Sequence, residues 1–414
     1  MHFRRVYQAG TWDVAGRYMG GTEIMHLVPH GGRLYAATST LQQVQEPGDP
    51  AVGAQVLVLE SAESSWRVER DFEPRHWRLT LDSLTFTEDG RGRRLPEPRS
   101  LLLAAPTERT GRLAVEVREE SGSWTRVPLA EGQGTASIRS FCLYRDKVTG
   151  LERLFAGTAP MGIFSGVLDL DVPGSIRWDT RPELEGYRKR PMGFAECNGV
   201  LHAIIHPGIY RRVDGERPRW EQVYTFPEQV IPISSGLRGL TAIPHPSGQG
   251  EVLLAALEGD RARLLRIDPL ASYRDTLELD VLDFLGERWG RRPSYAIAAY
   301  DDMTELRHPE TGAPVLLMGV GATFEADLST HPKQGWDPGG WYLIRHGEGR
   351  YALRSITAQE PVPMPPLVAT RSIALSPFDG RTVFLGGYDP NMSPCRNTAW
   401  IFSAPLETVL AAPS

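Results

Sequence analysis

The chain is 414 residues long, 41% hydrophobic and 23% charged, with a formal net charge of −6. That balance supports a large core and excludes the basic footprint that a nucleic-acid binder needs first. Lysine occurs only at Lys147, Lys189 and Lys333 and every other basic residue is arginine, a bias read first as GC-rich codon usage and second as a supply of anion-gripping side chains.

The N-terminal stretch MHFRRVYQAGTW has no apolar h-region, and no later segment approaches the ~18 apolar residues of a membrane span. A cytoplasmic, soluble, monomeric protein is therefore expected, with a removed signal peptide left open. Cys142, Cys197 and Cys395 lie far apart and outside any metal-ligand spacing, which reads as buried thiols in a reducing compartment. The 42 glycines and 33 prolines are spread along the whole chain, as many short strands joined by tight turns require.

Taken in chain order, Phe3-Arg-Arg-Val6-Tyr7 reads as a strand with the same aromatic and valine spacing as Trp220-Glu-Gln-Val223-Tyr224. A short apolar pattern then recurs seven times. Its first copy, Leu34-Tyr-Ala-Ala, precedes a strand at Gln55–Leu59 and an aromatic opening at Trp66. Leu102-Leu-Ala-Ala leads on to Trp124, and Leu154-Phe-Ala-Gly to Gly162–Val167 and Trp178. Leu201-His-Ala-Ile is followed by Gly208–Arg212 and Trp220. Leu253-Leu-Ala-Ala has an apolar run before it at Leu240–Ile243 and a strand after it at Leu264–Ile267. Leu316-Leu-Met-Gly leads to Trp341–Ile344 and Tyr351. Val383-Phe-Leu-Gly, preceded by Ile373–Leu375, is followed by Thr398–Ser403, where the pattern ends.

Each copy has large apolar residues followed by small ones, as suits a strand squeezed between neighbouring sheets. Four strands per unit, repeated at spacings of 47 to 68 residues, predict an all-β, seven-bladed β-propeller of antiparallel blades. Six and eight blades are the alternatives. The whole of 1–414 is read as one domain. The seventh unit lacks a fourth strand, and residues 3–8 are expected to supply it, closing the ring and covering an edge.

Arg153-Leu-Phe-Ala-Gly-Thr followed by Gly162-Ile-Phe-Ser-Gly resembles blades of the sialidase-like and photosystem-assembly-like propellers. The Asp-box of those families (Ser-x-Asp-x-Gly-x-x-Trp) survives only as a degenerate run from Leu168 to Trp178, and WD dipeptides and Kelch double glycines are missing. The resemblance implies the fold and carries over no catalytic residue.

Propellers bind small molecules at the mouth of the central channel. Aligning the innermost strands gives one position per blade: Met25, Asp82, Arg139, Met192, Arg238, Tyr295 and Arg371. Three arginines on alternate blades would point to one axis, with a carboxylate and a phenol among them. Like charges in a narrow channel repel unless something compensates them, and arginine is shaped to grip a carboxylate or phosphate with two hydrogen bonds. The arrangement is similar, by analogy, to the arginine triad of sialidases, though residue order and blade number depart from it. The competing reading is that these arginines bind channel carbonyls and waters and set blade register.

Three long loops, Thr40–Ala54, Gly321–Gly339 and Tyr388–Asn397, would roof this mouth. The second carries Glu325, Asp327, His331, Trp336 and Asp337, a mixture able to take a sugar or a cation such as calcium, without a recognised ligand spacing. No other cofactor is expected. Tyr187-Arg-Lys-Arg190 and Arg288-Trp-Gly-Arg-Arg292 add positive charge to the same face. His26 and His30, and His202 and His206, fall across strands and turns rather than on a helix, so metal pairing is not expected, and the four-histidine ring of iron-dependent carotenoid-cleaving propellers is missing. His76, on the loop before the strand carrying Asp82, suits proton transfer.

The leading expectation is an enzyme of lyase or hydrolase type acting on a small anionic or polyoxygenated substrate. Arg139, Arg238 and Arg371, with Met25 and Met192, would hold it, and Tyr295, Asp82 or His76 would move protons. The alternatives are a non-catalytic scaffold for protein partners and a metabolite- or sugar-binding module.

Overall fold

The computed structural model describes residues 2–41, 43, 50–186, 190–226, 236–300, 303–325, 335–357, 367–391 and 395–411. Seven four-stranded antiparallel sheets follow one another along the chain, and the seven-bladed β-propeller is borne out. The innermost strands are Glu23–His30, Leu79–Glu88, Ser137–Arg145, Pro191–Cys197, Gly236–Pro244, the split pair Tyr295–Ala298 and Thr304–Arg307, and Ala369–Leu375. The strand Arg4–Gln8 pairs antiparallel with Trp400–Pro405 of the seventh sheet, Arg4 opposite Ser403 and Gln8 opposite Trp400.

The core lies between sheets rather than within any one of them. Among the described residues, eight apolar clusters each join one blade to the next. One joins Ile243, Leu254 and Leu264 of the fifth blade to Leu316, Met318 and Leu343 of the sixth. Another joins Phe384 and Ile401 of the seventh blade to Ile24, Leu34 and Leu57 of the first.

The small residues that end each repeat copy do what their size suggests. They sit on the second strand of one blade, where the innermost strand of the next blade presses against them. A Cβ added at Gly386 of the seventh blade would lie 2.6 Å from Ile24 Cγ2 of the first. One at Gly157 of the third blade would lie 2.8 Å from Pro191 Cβ of the fourth, and at Gly319 of the sixth it would overlap the carbonyl oxygen of Thr370 of the seventh. These sheets have no room for a methyl group.

Polar groups bridge the same interfaces. Ser372 Oγ accepts from the Leu27 amide (2.9 Å), Thr80 Oγ1 donates to the Ile138 carbonyl (2.8 Å), Ser140 Oγ to that of Pro191 (3.3 Å), and Thr304 Oγ1 to that of Ile373 (2.9 Å). Further out, Arg212 of the fourth blade, its side chain 1% exposed, reaches Asp146 at 2.6 Å and Glu183 at 2.8 Å on the third.

Two features depart from the sequence reading. Helix Val281–Trp289 follows the fifth blade, capped by the Asp280 carboxylate accepting from the Asp283 amide and ended by Gly290 at φ 69°. An N-cap acid and a left-handed glycine are ordinary helix signals, masked here by the all-β context. A small hairpin, Thr11–Trp12 with Tyr18–Met19, also follows the N-terminal strand.

The close approach makes a direct prediction. Gly319→Ala is expected to cost about 1–3 kcal/mol through overpacking. Gly193→Ala, whose nearest neighbour would be Ile204 at 3.8 Å, is expected to be nearly neutral. Chemical denaturation of the two variants checks the contrast.

Candidate functional site

Five of the aligned axial residues share a backbone cause for their position. In the first blade Ile24 pairs with Thr38 and His26 with Ala37, so Met25 is an extra, bulged residue. Arg139 is bulged between Ile138 and Ser140, Met192 between Pro191 and Gly193, and Arg371 between Thr370 and Ser372. Arg238 lies in a register shift between Leu237 and Leu240. A bulge breaks the alternation of a strand and re-aims one side chain. Repeated at one level of the ring, it sets Arg139, Arg238 and Arg371 on a common collar.

Asp82 and Tyr295 are not on that collar. Ala105, the counterpart of Ala37, pairs with Thr80, so Thr80 holds the level of His26 and Asp82 lies two residues further along. In the sixth blade the innermost strand is split. Ala298 pairs with Val320 and Thr304 with Leu317, Ala299 still donates to the Gly319 carbonyl at 3.0 Å, and neither Tyr300 nor Met303 pairs in the ladder. Tyr300 lies in that excursion, at the collar level, whereas Tyr295 pairs with Thr323 beyond it. Tyr295 is 2% exposed and packs edge-on against Trp336, ring centres 6.2 Å apart. Met25 is buried in the cluster between the first two blades, beside Tyr35 and Leu81.

The carboxylates that compensate the arginines are Glu23 and Glu258. Arg238 Nε donates to Glu258 Oε2 at 2.5 Å, and Arg371 Nη1 stands 3.6 Å from Glu23 Oε2. The Arg371 guanidinium also lies over the Tyr300 ring, 5.3 Å from its centre, a cation–π contact. The Tyr300 and Tyr388 hydroxyls are 3.0 Å apart. Burial, then the neighbouring charge of Glu23, pushes the Tyr388 phenol up to about 12, although Arg371 and Arg238 pull the other way. Burial also raises Tyr300, helped by Tyr388 and opposed by the same two arginines. Both phenols therefore keep their protons at neutral pH. In a pair of hydroxyls only one proton is used between them, so the other can be donated to an anion beside the guanidinium groups.

Below the collar the axis opens into a cavity of about 430 Å³, lined by His26, Thr80, Asp82, Ser83, Arg139, Ser140, Thr241 and Thr304 together with apolar residues that include Met192 and Phe194. Arg139 and Asp82 thus meet the same space, with His26 as a further titratable neighbour.

His76 is elsewhere. It is 4% exposed, its Nε2 lies 2.9 Å from Glu108 Oε1, and Glu108 also accepts from Arg126 Nη2 at 2.6 Å and Thr110 Oγ1 at 2.8 Å. Arg126 belongs to the outermost strand of the second blade, and His76 does not line the axial cavity. Burial would raise the Glu108 carboxyl, but hydrogen bonds from Arg126, His76 and Thr110 outweigh it and hold the group at about 2. His202 is a packed core residue with its ring nitrogens near the Val200 carbonyl and the Tyr273 hydroxyl, each at 3.0 Å, and burial lowers it to about 4.

Of the three long loops, Asp327 and His331 lie outside the described residues, as do Tyr187, Arg188 and Lys189. Trp336 is bracketed by Asn391, which accepts from its amide at 3.0 Å and donates to its carbonyl at 2.7 Å. Asp337 accepts from Trp341 Nε1 at 2.8 Å. Burial, and then the positive charge of Arg238, lowers the Arg190 guanidinium below its ordinary range. Among the described residues no group of three or more His, Cys, Asp or Glu is placed to hold a metal, and no helix is long and apolar enough to cross a membrane. Glu23, Glu258, Tyr300 and Tyr388 escaped the sequence reading.

Neither a protein-family profile nor a characterised protein sequence matches the chain. Among solved structures its fold is similar to that of the BP39L lectin from Burkholderia pseudomallei, at TM-score 0.52 and 9% identity over 93% of this chain and 97% of the lectin. A novel fungal alcohol oxidase of the AA5 family, in complex with copper, aligns at TM-score 0.48 and 11% identity over 94% and 75% of the two chains. Sqt1 of Saccharomyces cerevisiae aligns at 0.45 and 10% over 94% and 84%. The likeness to the lectin shows a common propeller-like β fold.

Two titrations follow from this geometry. Phenolate absorbance assigned to Tyr388, taken as wild type minus Tyr388→Phe, is expected only as pH nears 12. Glu108 has a folded-state pKa below its ordinary value, so its contribution to stability is complete above about pH 4.5 and is lost as pH falls toward 2. The stability gap between wild type and Glu108→Gln should narrow over that window in denaturation curves.

Proposed function

We propose that this protein binds a small, negatively charged, hydroxyl-bearing molecule along the propeller axis, gripped by Arg139, Arg238 and Arg371. The observation that carries the reading is the repeated bulge, which sets three arginines at one level of the ring above a polar cavity of about 430 Å³. Binding cavities for small molecules run from about 300 to 1,000 Å³ and carry a few convergent polar groups in apolar walls. Guanidinium groups supply paired donors for a carboxylate or phosphate. Tyr300 and Tyr388 add a neutral donor beside Arg371, and Thr80, Ser83, Ser140, Thr241 and Thr304 match ligand hydroxyls.

Turnover of the bound molecule by hydrolysis or elimination is a second reading, favoured by Asp82 and His26 sharing the cavity with Arg139. In that reading Asp82 or His26 takes the proton and Arg139 stabilises the developing negative charge. Tyr295 and His76 have no part in it, the first being packed against Trp336 and the second held by Glu108.

A thermal-shift screen against sugar acids, hydroxy acids, dicarboxylates and phosphates tests both readings. A ligand at 100 times its Kd stabilises the native state by about 2.7 kcal/mol. One anion class should raise the melting temperature of wild type by several degrees, and Arg139→Gln should abolish that shift. If every anion leaves wild type unmoved, the proposal falls. An Asp82→Asn variant that still binds but no longer consumes the ligand would favour turnover, whereas unaltered ligand over wild type would leave binding alone.

A further inference from the structure

A second groove lies on the outer rim, far from the axial residues in the order of strands. It measures about 320 Å³ and runs between the N-terminal strand Arg4–Gln8, the hairpin Thr11–Met19 and the first blade. Its walls include Arg5, Val6, Trp12, Val14, Met19 and Trp66. The hairpin is pinned by Asp13, whose carboxylate accepts from the amides of Ala15 (2.9 Å), Arg17 (2.8 Å) and Val68 (3.1 Å). That anchorage ties the hairpin to the outermost strand of the first blade. It leaves Trp12 61% and Val14 86% exposed, two of the few large apolar side chains the protein shows to solvent.

The polar groups of this groove are unbalanced. Arg4 and Arg5 are exposed and have no carboxylate partner among the described residues. The Asp13 carboxylate is fully buried and already bonded, and the Gln8 side-chain amide is spent on the carbonyls of Asn397 and Ala399. Trp66 is 2% exposed, yet its indole N–H has no acceptor. The corresponding aromatics of the fourth and sixth blades do have one, Trp220 donating to Glu183 at 3.2 Å and Tyr351 to Glu278 at 2.6 Å. At Trp66 the donor is present and the carboxylate is missing. The indole nitrogens of Trp124 and Trp178 are buried without an acceptor as well, so the Trp66 ring counts here as an apolar wall; what sets this groove apart is its arginines, since those beside Trp178, Arg126 and Arg177, are already paired with Glu108 and Asp169.

We propose that the Trp12–Trp66 groove docks a linear peptide segment of a partner protein that carries acidic side chains next to an apolar one. A peptide carboxylate pairs with Arg5 or Arg4, the exposed guanidinium groups of the N-terminal strand that have no carboxylate partner among the described residues. The neighbouring apolar side chain packs on Trp12 and Val14, where an aromatic beside an arginine forms the usual anchor of a binding surface. A saccharide fits less well, because its hydroxyls need acceptors as well as donors and the groove's own carboxylate is occupied. This inference is independent of what binds on the axis.

The test is a random peptide library displayed on phage, panned against the intact protein. Enriched sequences are expected to place Asp or Glu within a few residues of Leu, Ile or Phe. A synthetic copy of the best sequence should bind about tenfold or more weakly to Trp12→Ala and to Arg5→Glu. It should bind unchanged to Val148→Ala, whose side chain is 69% exposed. Val14→Glu gives a second route, repelling acidic peptides from the hairpin tip. Melting curves of these surface variants should superimpose on wild type. Enrichment without acidic residues, or a selected peptide that binds all variants alike, would overturn the proposal. Glycan-array binding that vanishes in Trp12→Ala would overturn it too, reassigning the groove to carbohydrate.

Discussion

The structure depends on how closely the innermost strand of each blade can approach the second strand of the blade before it. At Gly157, Gly319 and Gly386 the approach leaves no room for a Cβ, and Ala36, Ala104, Ala156, Ala203 and Ala255 stand fully buried at related places. Packing at that distance places nearly all the apolar core between sheets. Each blade then depends on its neighbours for burial, as in other repeat architectures, where a single unit cannot cover its own hydrophobic face. The polar links at the same interfaces, from Ser372 to Leu27 and from Thr80 to Ile138, hold adjacent strands in one register.

Close approach also shapes the axis. A strand pressed against its neighbour cannot point large side chains both into the interface and into the channel without adjusting its backbone. The bulges at Met25, Arg139, Met192 and Arg371 fall where that conflict arises. Each inserts one residue and turns a side chain out of the alternation. Where the turned residue is arginine, its charge is brought among the other innermost strands, where like charges repel unless a carboxylate compensates them. Glu23 and Glu258 offset two of these charges, and the Tyr300–Tyr388 pair lies within their field.

Electrostatics at the rim follows a different rule. Arg212 with Asp146 and Glu183, and Glu278 with Arg345 and Arg266, are buried groups satisfied within the protein, and they tie blades together. His76 with Glu108 belongs to this class, which explains why a histidine near the axial strand in sequence takes no place at the axis. At the N-terminal strand the pattern is incomplete. Arg5 lines a groove whose one acid is already bonded, and the exposed Trp12 and Val14 stand beside it.

Much of the fold was legible in the sequence, because propeller strands are encoded locally. Two large apolar residues followed by small ones specify a tightly packed second strand, and an aromatic opens the outer one. Seven such copies set the blade number, and the match of Phe3–Tyr7 to Trp220–Tyr224 anticipated a strand that pairs with Trp400–Pro405. That Arg139, Arg238 and Arg371 occupy equivalent places on their strands was equally visible, since their neighbours repeat, and each falls in a register shift. Tertiary structure alone decided that Tyr300 rather than Tyr295 stands at that level, and that Asp82 lies two residues beyond the level of His26. It also decided that Glu23 and Glu258 are the counter-charges and that His76 belongs to Glu108. A one-residue bulge or a split strand leaves almost no trace in the alternation of apolar residues, yet it shifts every later side chain to a new height and face. Side-chain partners drawn from blades far apart in the chain depend on that register and could be read only from the folded ring.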